Sequence, residues 1–316
     1  MSETLCTTCW TFDCEGHAQS EEHIQVNGNL SVLPKLELDY GSTGANLTGS
    51  LDICFSDYGQ QILEEMMLLR GHPLLLLGDS GWGKSVIARE VGRRCGYAGD
   101  TTPVETNAYP NMDISLWMGQ WLPSSENGAV SVNWHDGEMT RAIRSGALFL
   151  LEEITRAPQD GLARFFGPTD NGYRYHTLPE SGEGRIPVAD SFWLIATGNP
   201  AGGGYATSKL DKALHSRFKA TWIINEPLAD ERKLVTNALP ENEHGDIGQR
   251  LLTYVLEARR GPDSQVNTRD LMHCVDLIAL GFKPERAIEL SIVPKYENQQ
   301  GLRDNARLHF SAAAVL

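Results

Sequence analysis

The chain is short of cysteine, short of positive charge, and without a long apolar run. Six cysteines in 316 residues are too few to staple a fold together, so a disulfide scaffold is excluded and a reducing, cytoplasmic setting is expected. The longest apolar runs, such as Leu74 to Leu77, fall far short of the ~20 residues that span a bilayer. The opening stretch, MSETLCTTCW, has neither a basic start nor an apolar segment, and no secretory signal is expected. Twenty-seven Lys and Arg stand against 41 Asp and Glu, a formal net charge of −14. Sequence-independent coating of DNA or RNA depends on Lys and Arg paired with phosphate, and so acidic a chain argues against it. What is present is ordinary globular usage, 41% hydrophobic and 22% charged, which excludes a wholly disordered chain. The length suffices for one large domain or two smaller ones.

Three regions differ in composition. Residues 1–50 hold seven acids (Glu3, Asp13, Glu15, Glu21, Glu22, Glu37 and Asp39) against the single base Lys35, and three of the six cysteines. They show little periodicity and read as an appended segment, either a tail or a small metal-held module. Residues 51–226 read as an α/β domain. Asp57 is placed to cap a helix running to about Arg70, with Ile62, Leu63, Met66, Met67 and Leu69 at helical spacing, ended by Gly71 and Pro73. Three short apolar runs (Leu74 to Leu77, Leu148 to Leu151 and Trp193 to Ala196) read as strands buried on both faces, separated by helical stretches. That alternation indicates a doubly wound parallel sheet. Residues 227–316 carry helical patterns alone, at 228–239, 247–259, 269–280 and 284–290, and read as an α-helical lid.

Gly78-Asp79-Ser80-Gly81-Trp82-Gly83-Lys84-Ser85 matches G-x-x-x-x-G-K-[ST] in full, between a buried strand and a helix expected from Lys84 to about Cys95. In that context glycines let backbone N–H groups turn inward around phosphates, and the helix N-terminus adds partial positive charge. Lys84 would reach the β- and γ-phosphates of a nucleotide, and the Ser85 hydroxyl would ligate Mg²⁺. The strand at 148–151 ends in Glu152-Glu153, which supplies one carboxylate for Mg²⁺ and one to orient and deprotonate an attacking water. Thr197-Gly198-Asn199-Pro200 ends another buried strand, where a polar side chain faces a ligand crevice. Arg217 and Arg269 are guanidinium candidates for neutralising charge on a transferring phosphoryl group. Taken singly, a plain acid-tipped strand, a turn and two surface arginines are the competing readings of these last features.

These pieces in this order resemble the AAA+ ATPases, specifically the MoxR group, over roughly residues 55 to 281. Gly137-Glu138-Met139 through Arg144-Ser145-Gly146-Ala147 and then Glu152 to Pro158 looks like that group's stretch up to and including its Walker B motif. Phe192 to Pro200 looks like its sensor 1 strand. Asn267-Thr268-Arg269-Asp270-Leu271, with Leu277, Ile278 and Gly281, resembles sensor 2 in one branch. That branch holds the Q-type rubisco activases, the nitric oxide reductase activators, the gas-vesicle ATPases and the small cobaltochelatase subunit. The resemblance implies an ATP-hydrolysing ring, usually a hexamer, that remodels or activates a client protein or metalloenzyme. It also implies a partner carrying a von Willebrand factor A domain. In that scheme Lys84 and Ser85 are the Walker A lysine and Mg²⁺ ligand. Glu152 stands at the Walker B Asp position, Glu153 is the catalytic glutamate and Asn199 is sensor 1. Arg217 is the arginine finger acting on a neighbouring subunit, and Arg269 is sensor 2. Glu152 is a departure, one methylene longer than the usual aspartate. The group's two pore-lining hairpins have candidates at Gly119 to Trp134 and Tyr173 to Asp190.

Two other function classes stay open at this level. One is a nucleic-acid-directed NTP motor of restriction type, against which the net charge counts. The other is a scaffold that nucleotide assembles without significant turnover, for which Glu152 is the sole support. Cys6, Cys9, Cys14 and His17 lie within twelve residues and are a candidate zinc set; the alternative is an acidic tail with reduced thiols. Cys54, Cys95 and Cys274 lie singly near apolar stretches and are expected in the core.

Overall fold

The computed structural model describes residues 4–6, 23–25, 54–126, 129–170, 174–200, 209–260 and 266–310. Strands β1 (Thr4–Cys6) and β2 (His23–Gln25) form a small antiparallel pair. Of the candidate zinc ligands, Cys9, Cys14 and His17 lie outside the described residues, and Cys6 is described only as backbone of β1. Among the described residues no three or more His, Cys, Asp or Glu cluster as a metal site. Among them, too, no helix is long and apolar enough to cross a membrane.

The chain then runs α1 (Asp57–Leu68), β3 (Leu74–Gly78), α2 (Lys84–Arg94), β4 (Val104–Asn107) and α3 (Ser115–Met118). Next come β5 (Gly119–Glu126), β6 (Ala129–Asp136), α4 (Glu138–Ser145), β7 (Leu148–Glu152), α5 (Gln159–Leu162), β8 (Tyr175–Leu178) and β9 (Gly184–Pro187). They are followed by β10 (Trp193–Gly198), α6 (Lys212–His215), β11 (Ala220–Ile224), α7 (Glu231–Ala238) and α8 (Glu241–His244). The last helices are α9 (Ile247–Arg260), α10 (Thr268–Ala279), α11 (Pro284–Ser291) and α12 (Gln299–Phe310). Two compact units emerge. The first is Met1–Asp52, Leu63–Leu76 and Ala88–Trp222; the second is Ile53–Ile62, Leu77–Ile87 and Ile223–Leu316.

Of a sheet of order β11-β3-β10-β7-β4, the strands β10, β7 and β4 lie wholly in the first unit, with β10 and β4 both parallel to β7. Every residue of β10 and the first four of β7 are buried, which is why these strands read as unbroken apolar runs. Trp193 pairs with Leu148 and Ala196 with Leu151, so the sheet brings the ends of β7 and β10, Glu152 and Gly198, to the same edge. On one face Trp117 meets Phe149 and Phe165 edge-on, at 6.2 and 6.0 Å between ring centroids. Strands β4 and β11 were not expected. In β4 half-buried and exposed positions alternate (Val104 and Thr106 against Glu105 and Asn107), so it carries no apolar run.

Both expected hairpins form. In the first, β5 and β6 pair antiparallel from Gly119 opposite Asp136 to Glu126 opposite Ala129; in the second, Tyr175 lies opposite Pro187 and Leu178 opposite Gly184. The strand alternation of the first hairpin puts Trp121, Pro123, Val130, Val132 and Trp134 on one face. Trp121, Val130 and Val132 are 52%, 77% and 58% exposed. On the other face Ser124 and Ser131 hydroxyls lie 2.8 Å apart and the Asn133 amide donates to Ser124. The hairpins are joined to each other. Trp121 Nε1 donates to the Glu180 carbonyl at 2.9 Å, and Arg144 pairs with Asp136 at 2.7 Å and with Glu183 at 2.5 Å.

A buried joint lies beneath them. The Thr140 hydroxyl donates to the Met118 carbonyl at 2.6 Å and so accepts from His176 Nε2, 3.1 Å away. His176 is fully buried and its Nδ1 has no partner among the described residues. Burial, with Arg164 nearby, pushes this imidazole down from 6.5 to about 4. The folded chain thus binds fewer protons than the unfolded one. Stability from this residue is complete above pH ~6.5 and is lost as the pH falls toward ~4, by at most about 3 kcal/mol. Thermal melts between pH 8 and pH 5 are expected to fall more steeply for the wild type than for His176→Gln. Parallel curves would show that this histidine titrates normally.

The second unit packs α7 and α9 to α12 around Leu251, Tyr254, Val255, Leu271, Cys274, Val275, Ile288 and Phe310. Helix α12 was not expected; Leu302, Ala306 and Phe310 are its buried stripe at spacing four. Asp57 is not the cap of α1. The Ser56 hydroxyl accepts from the Gly59 amide at 3.1 Å, which makes Ser56 the capping residue and Asp57 the first residue of the helix. Cys95 and Cys274 are buried as expected, whereas Cys54 is only half-buried.

Candidate active site

The phosphate-loop candidate lies in the second unit. Gly78 ends β3, and Gly81 and Gly83 take φ of 84° and 96°, where a side chain is strained. A Cβ on Gly81 would also lie 2.2 Å from Asn267 Oδ1, so glycine is required there on two grounds. The loop ends at the N-terminus of α2, whose first turn carries no acid that would repel an anion. Lys84 is almost fully buried, and its Nζ donates to the carbonyls of Gly78 and Asp79, each at 2.7 Å. A buried ammonium held by its own loop, two left-handed glycines and a helix N-terminus together make a site of the sign that takes phosphates. Ser85, next in the helix, offers a hard hydroxyl oxygen of the kind Mg²⁺ takes.

The same unit wraps side chains around the loop. Asn267 caps α10 in a full capping box: its side chain accepts from the Asp270 amide, and the Asp270 carboxylate accepts from the Asn267 amide. This fixes the start of the helix, where Arg269 donates to the Ser80 hydroxyl at 3.4 Å. Arg259 lies over the Trp82 ring, 5.0 Å from its centroid, and forms a fork with both Glu231 oxygens at 2.6 and 2.7 Å. Thr268 donates to the same Glu231 at 2.6 Å. The P-loop tryptophan is thereby tied to α7, α9 and α10. Sequence reading missed Arg259 and Glu231, whose spacing offers nothing to reveal them; Thr268 was legible only as part of the sensor 2 stretch, not as a partner of Glu231.

The acidic strand end lies in the first unit. Glu152 ends β7 and is mostly shielded, and Arg89 Nη2 donates to its Oε1 at 2.9 Å. Glu153, next, takes φ 58° and ψ 37°. A left-handed glutamate costs about 1–2 kcal/mol, and such strain gathers where function over-determines the backbone. Its amide donates to Thr197 Oγ1 at 3.4 Å, and Asn199 Nδ2 lies 3.2 and 3.4 Å from its two carboxylate oxygens. Asn199 is 4% exposed, so this amide is held in place. The structure thus brings Glu153 and Asn199 together, as a water-orienting pair requires. Arg89 was also missed, although it lies four residues beyond Ser85 on the same helix, a spacing that puts both on one face.

Arg217 stands apart from that cluster. Just past α6, it lies over the Phe166 ring at 4.3 Å and donates to the Ala213 carbonyl at 2.6 Å, while its buried Nε has no partner among the described residues. Among the described residues none of its partners belongs to the phosphate loop or the acidic strand end. A cleft of about 1150 Å³ in the first unit, lined among others by Tyr109, Leu116, Trp134 and Arg141, includes none of the candidate catalytic or phosphate-loop residues.

Residues 73–218 match the AAA domain of the dynein-related subfamily. The chain is 28% identical to Protein NorQ of Paracoccus denitrificans, over 75% of this chain and 86% of the relative. It is 28% identical to the denitrification regulatory protein NirQ of Stutzerimonas stutzeri, over 69% of this chain and 76% of the relative. It is 24% identical to Protein CbbQ of Hydrogenophilus thermoluteolus, over 73% and 83%. A full phosphate-loop motif, an αβα sheet with a helical C-terminal region and this extent of likeness agree. The chain carries the AAA domain of an ATPase that hydrolyses ATP, and over most of its length it is similar to the MoxR-type ATPases NorQ, NirQ and CbbQ.

Proposed function

We propose that this ATPase works as a homo-oligomeric ring, a hexamer, that remodels or activates a client protein together with a von Willebrand factor A domain partner. Residues Gly78 to Gly83 wrap the phosphates with their amides, and Lys84 neutralises the β- and γ-phosphates. Ser85 and Glu152 hold Mg²⁺, which when bound screens phosphate charge and polarises the transferring group. Glu153 takes the proton of the attacking water and Asn199 keeps its carboxylate aimed. Arg269 reports nucleotide to the helical region through the start of α10, and Arg217 serves the nucleotide of the neighbouring subunit. The donor set suits Mg²⁺: hard oxygens and few protein ligands, as expected where nucleotide phosphates complete the shell.

The observation that carries the remodelling half of the reading is the joined pair of hairpins, with Trp121, Val130 and Val132 exposed on one face. An apolar strip kept outside the core is a contact surface for another protein. The test is the double variant Trp121→Ser, Val132→Ser. Basal phosphate release is expected to stay within about twofold of wild type, since surface changes away from the chemistry are close to neutral. Activation of the client in the presence of the partner is expected to be lost. Loss of both together would argue against hairpins that act on a client separately from the chemistry.

A further inference from the structure

Glu105 and Glu152 lie on neighbouring parallel strands. Glu105 is in register with Leu150 and Asn107 with Glu152, so the two carboxylates are two positions apart on the same face of the sheet. Arg89 joins them from α2. Its Nε lies 2.9 Å from each Glu105 oxygen, and its Nη2 lies 2.9 Å from Glu152 Oε1. One guanidinium between two carboxylates leaves the cluster with a single net negative charge, the charge that one aspartate would supply. Glu152 Oε2 takes no partner among the described residues. Arg89 is 48% exposed, and an isolated pair so placed adds little to stability. What the planar fork does add is orientation.

We infer that Arg89 is a positioning residue, which fixes the carboxylate of Glu152 and so makes a glutamate serviceable where the family's aspartate stands. A glutamate has one more rotatable bond than an aspartate, and an unheld carboxylate would sample positions unsuited to a metal ion. With Oε1 held by Arg89, and Arg89 in turn held by Glu105, Oε2 is presented in one place. The inference rests on the proposed role of Glu152 in holding the metal, and it concerns ligand geometry rather than the chemical step. Orienting partners of metal ligands are worth about 10–100-fold in metal affinity.

The test uses Mn²⁺ as the probe and the full-length Glu153→Gln protein, so that ATP is not consumed. Free Mn²⁺ is followed by electron paramagnetic resonance at saturating ATP, and ATP affinity is measured separately in EDTA. Glu152→Gln checks the underlying role: unchanged Mn²⁺ affinity in that variant would remove Glu152 from the metal site, and the inference with it. Given weakening there, Arg89→Met is expected to weaken Mn²⁺ about tenfold and leave metal-free ATP affinity unchanged. In a Glu152→Asp background, where the shorter side chain no longer meets the guanidinium, Arg89→Met is expected to change Mn²⁺ affinity less than about twofold. Unaltered Mn²⁺ affinity in Arg89→Met, or an equal loss in both backgrounds, would overturn the inference. Arg89→Lys keeps the charge without the fork and is expected to weaken Mn²⁺ as well; full wild-type affinity there would mean that charge alone suffices and would also overturn it.

Discussion

Replacing Glu153 by Gln is expected to cut ATP turnover by about 10²–10⁴-fold, the usual contribution of a positioned general base. The side chain keeps its length and can still accept from Asn199 Nδ2, which lies 3.2 Å from one carboxylate oxygen, so the geometry survives while the proton acceptor is lost. ATP binding is expected to be unchanged, and ATP-stabilised assemblies to persist, because the residues of the phosphate loop are untouched. Phosphate release together with native mass in ATP decides the matter: turnover equal to wild type would remove Glu153 from the chemistry. Its backbone offers a second reading of the same residue. At φ 58° a glutamate carries strain that glycine does not. Glu153→Gly is therefore expected to lose turnover to the same extent and to gain up to about 1 kcal/mol in stability. A variant that is both inactive and more stable is the mark of a position kept strained for its chemistry. If Glu153→Gly were instead destabilised, the strain would be repaid locally by the side chain's own contacts.

What could be read from the sequence follows from which physical features are local. The phosphate loop and its helix are written in consecutive residues, because glycines at 81 and 83 and the lysine at 84 act through the backbone of one turn. Strands β3, β7 and β10 were legible because burial on both faces forces a continuous apolar run. Strand β4 was not, since its alternation of Val104 and Thr106 with Glu105 and Asn107 is short and half polar. Helix α12 hid behind Gly301 and a polar surround, its buried stripe reduced to Leu302, Ala306 and Phe310. The cap of α1 was placed one residue late, because Ser56 and Asp57 are both good caps and only the Gly59 amide chooses between them. Tertiary partners were the least legible. The Arg89 bridge needs the register of β4 on β7, and the Arg259 stack on Trp82 needs α9 beside the loop. Pairing of Glu153 with Asn199 was foreseeable only as two strand ends brought to one edge.

Loss of Arg217 is expected to be as damaging as loss of the general base, but to be curable by a different damaged chain. A guanidinium supplied to a transferring phosphoryl group is worth about 10³-fold or more in turnover. Arg217→Ala should therefore be nearly inactive with ATP affinity retained. Its side chain is held by Phe166 and the Ala213 carbonyl, with no carboxylate partner and with a buried Nε unpaired among the described residues. A charge so placed, outside the local cluster of Glu153 and Asn199, is free to serve another subunit. If it does, a competent site needs Glu153 from one chain and Arg217 from the next. Equal mixing of Arg217→Ala with Glu153→Gln chains then rebuilds such sites wherever an Arg217→Ala chain holds the nucleotide and a Glu153→Gln chain stands beside it. Random placement in a closed ring gives about one site in four. The mixture is expected to recover roughly a quarter of wild-type turnover, from two preparations that are each inactive alone. Were Arg217 to act on the nucleotide of its own chain, every chain in the mixture would still lack one essential group, and no activity would return. Subunit exchange can be checked by native mass in the same samples, so a mixture that exchanges and stays inactive would overturn the assignment in trans.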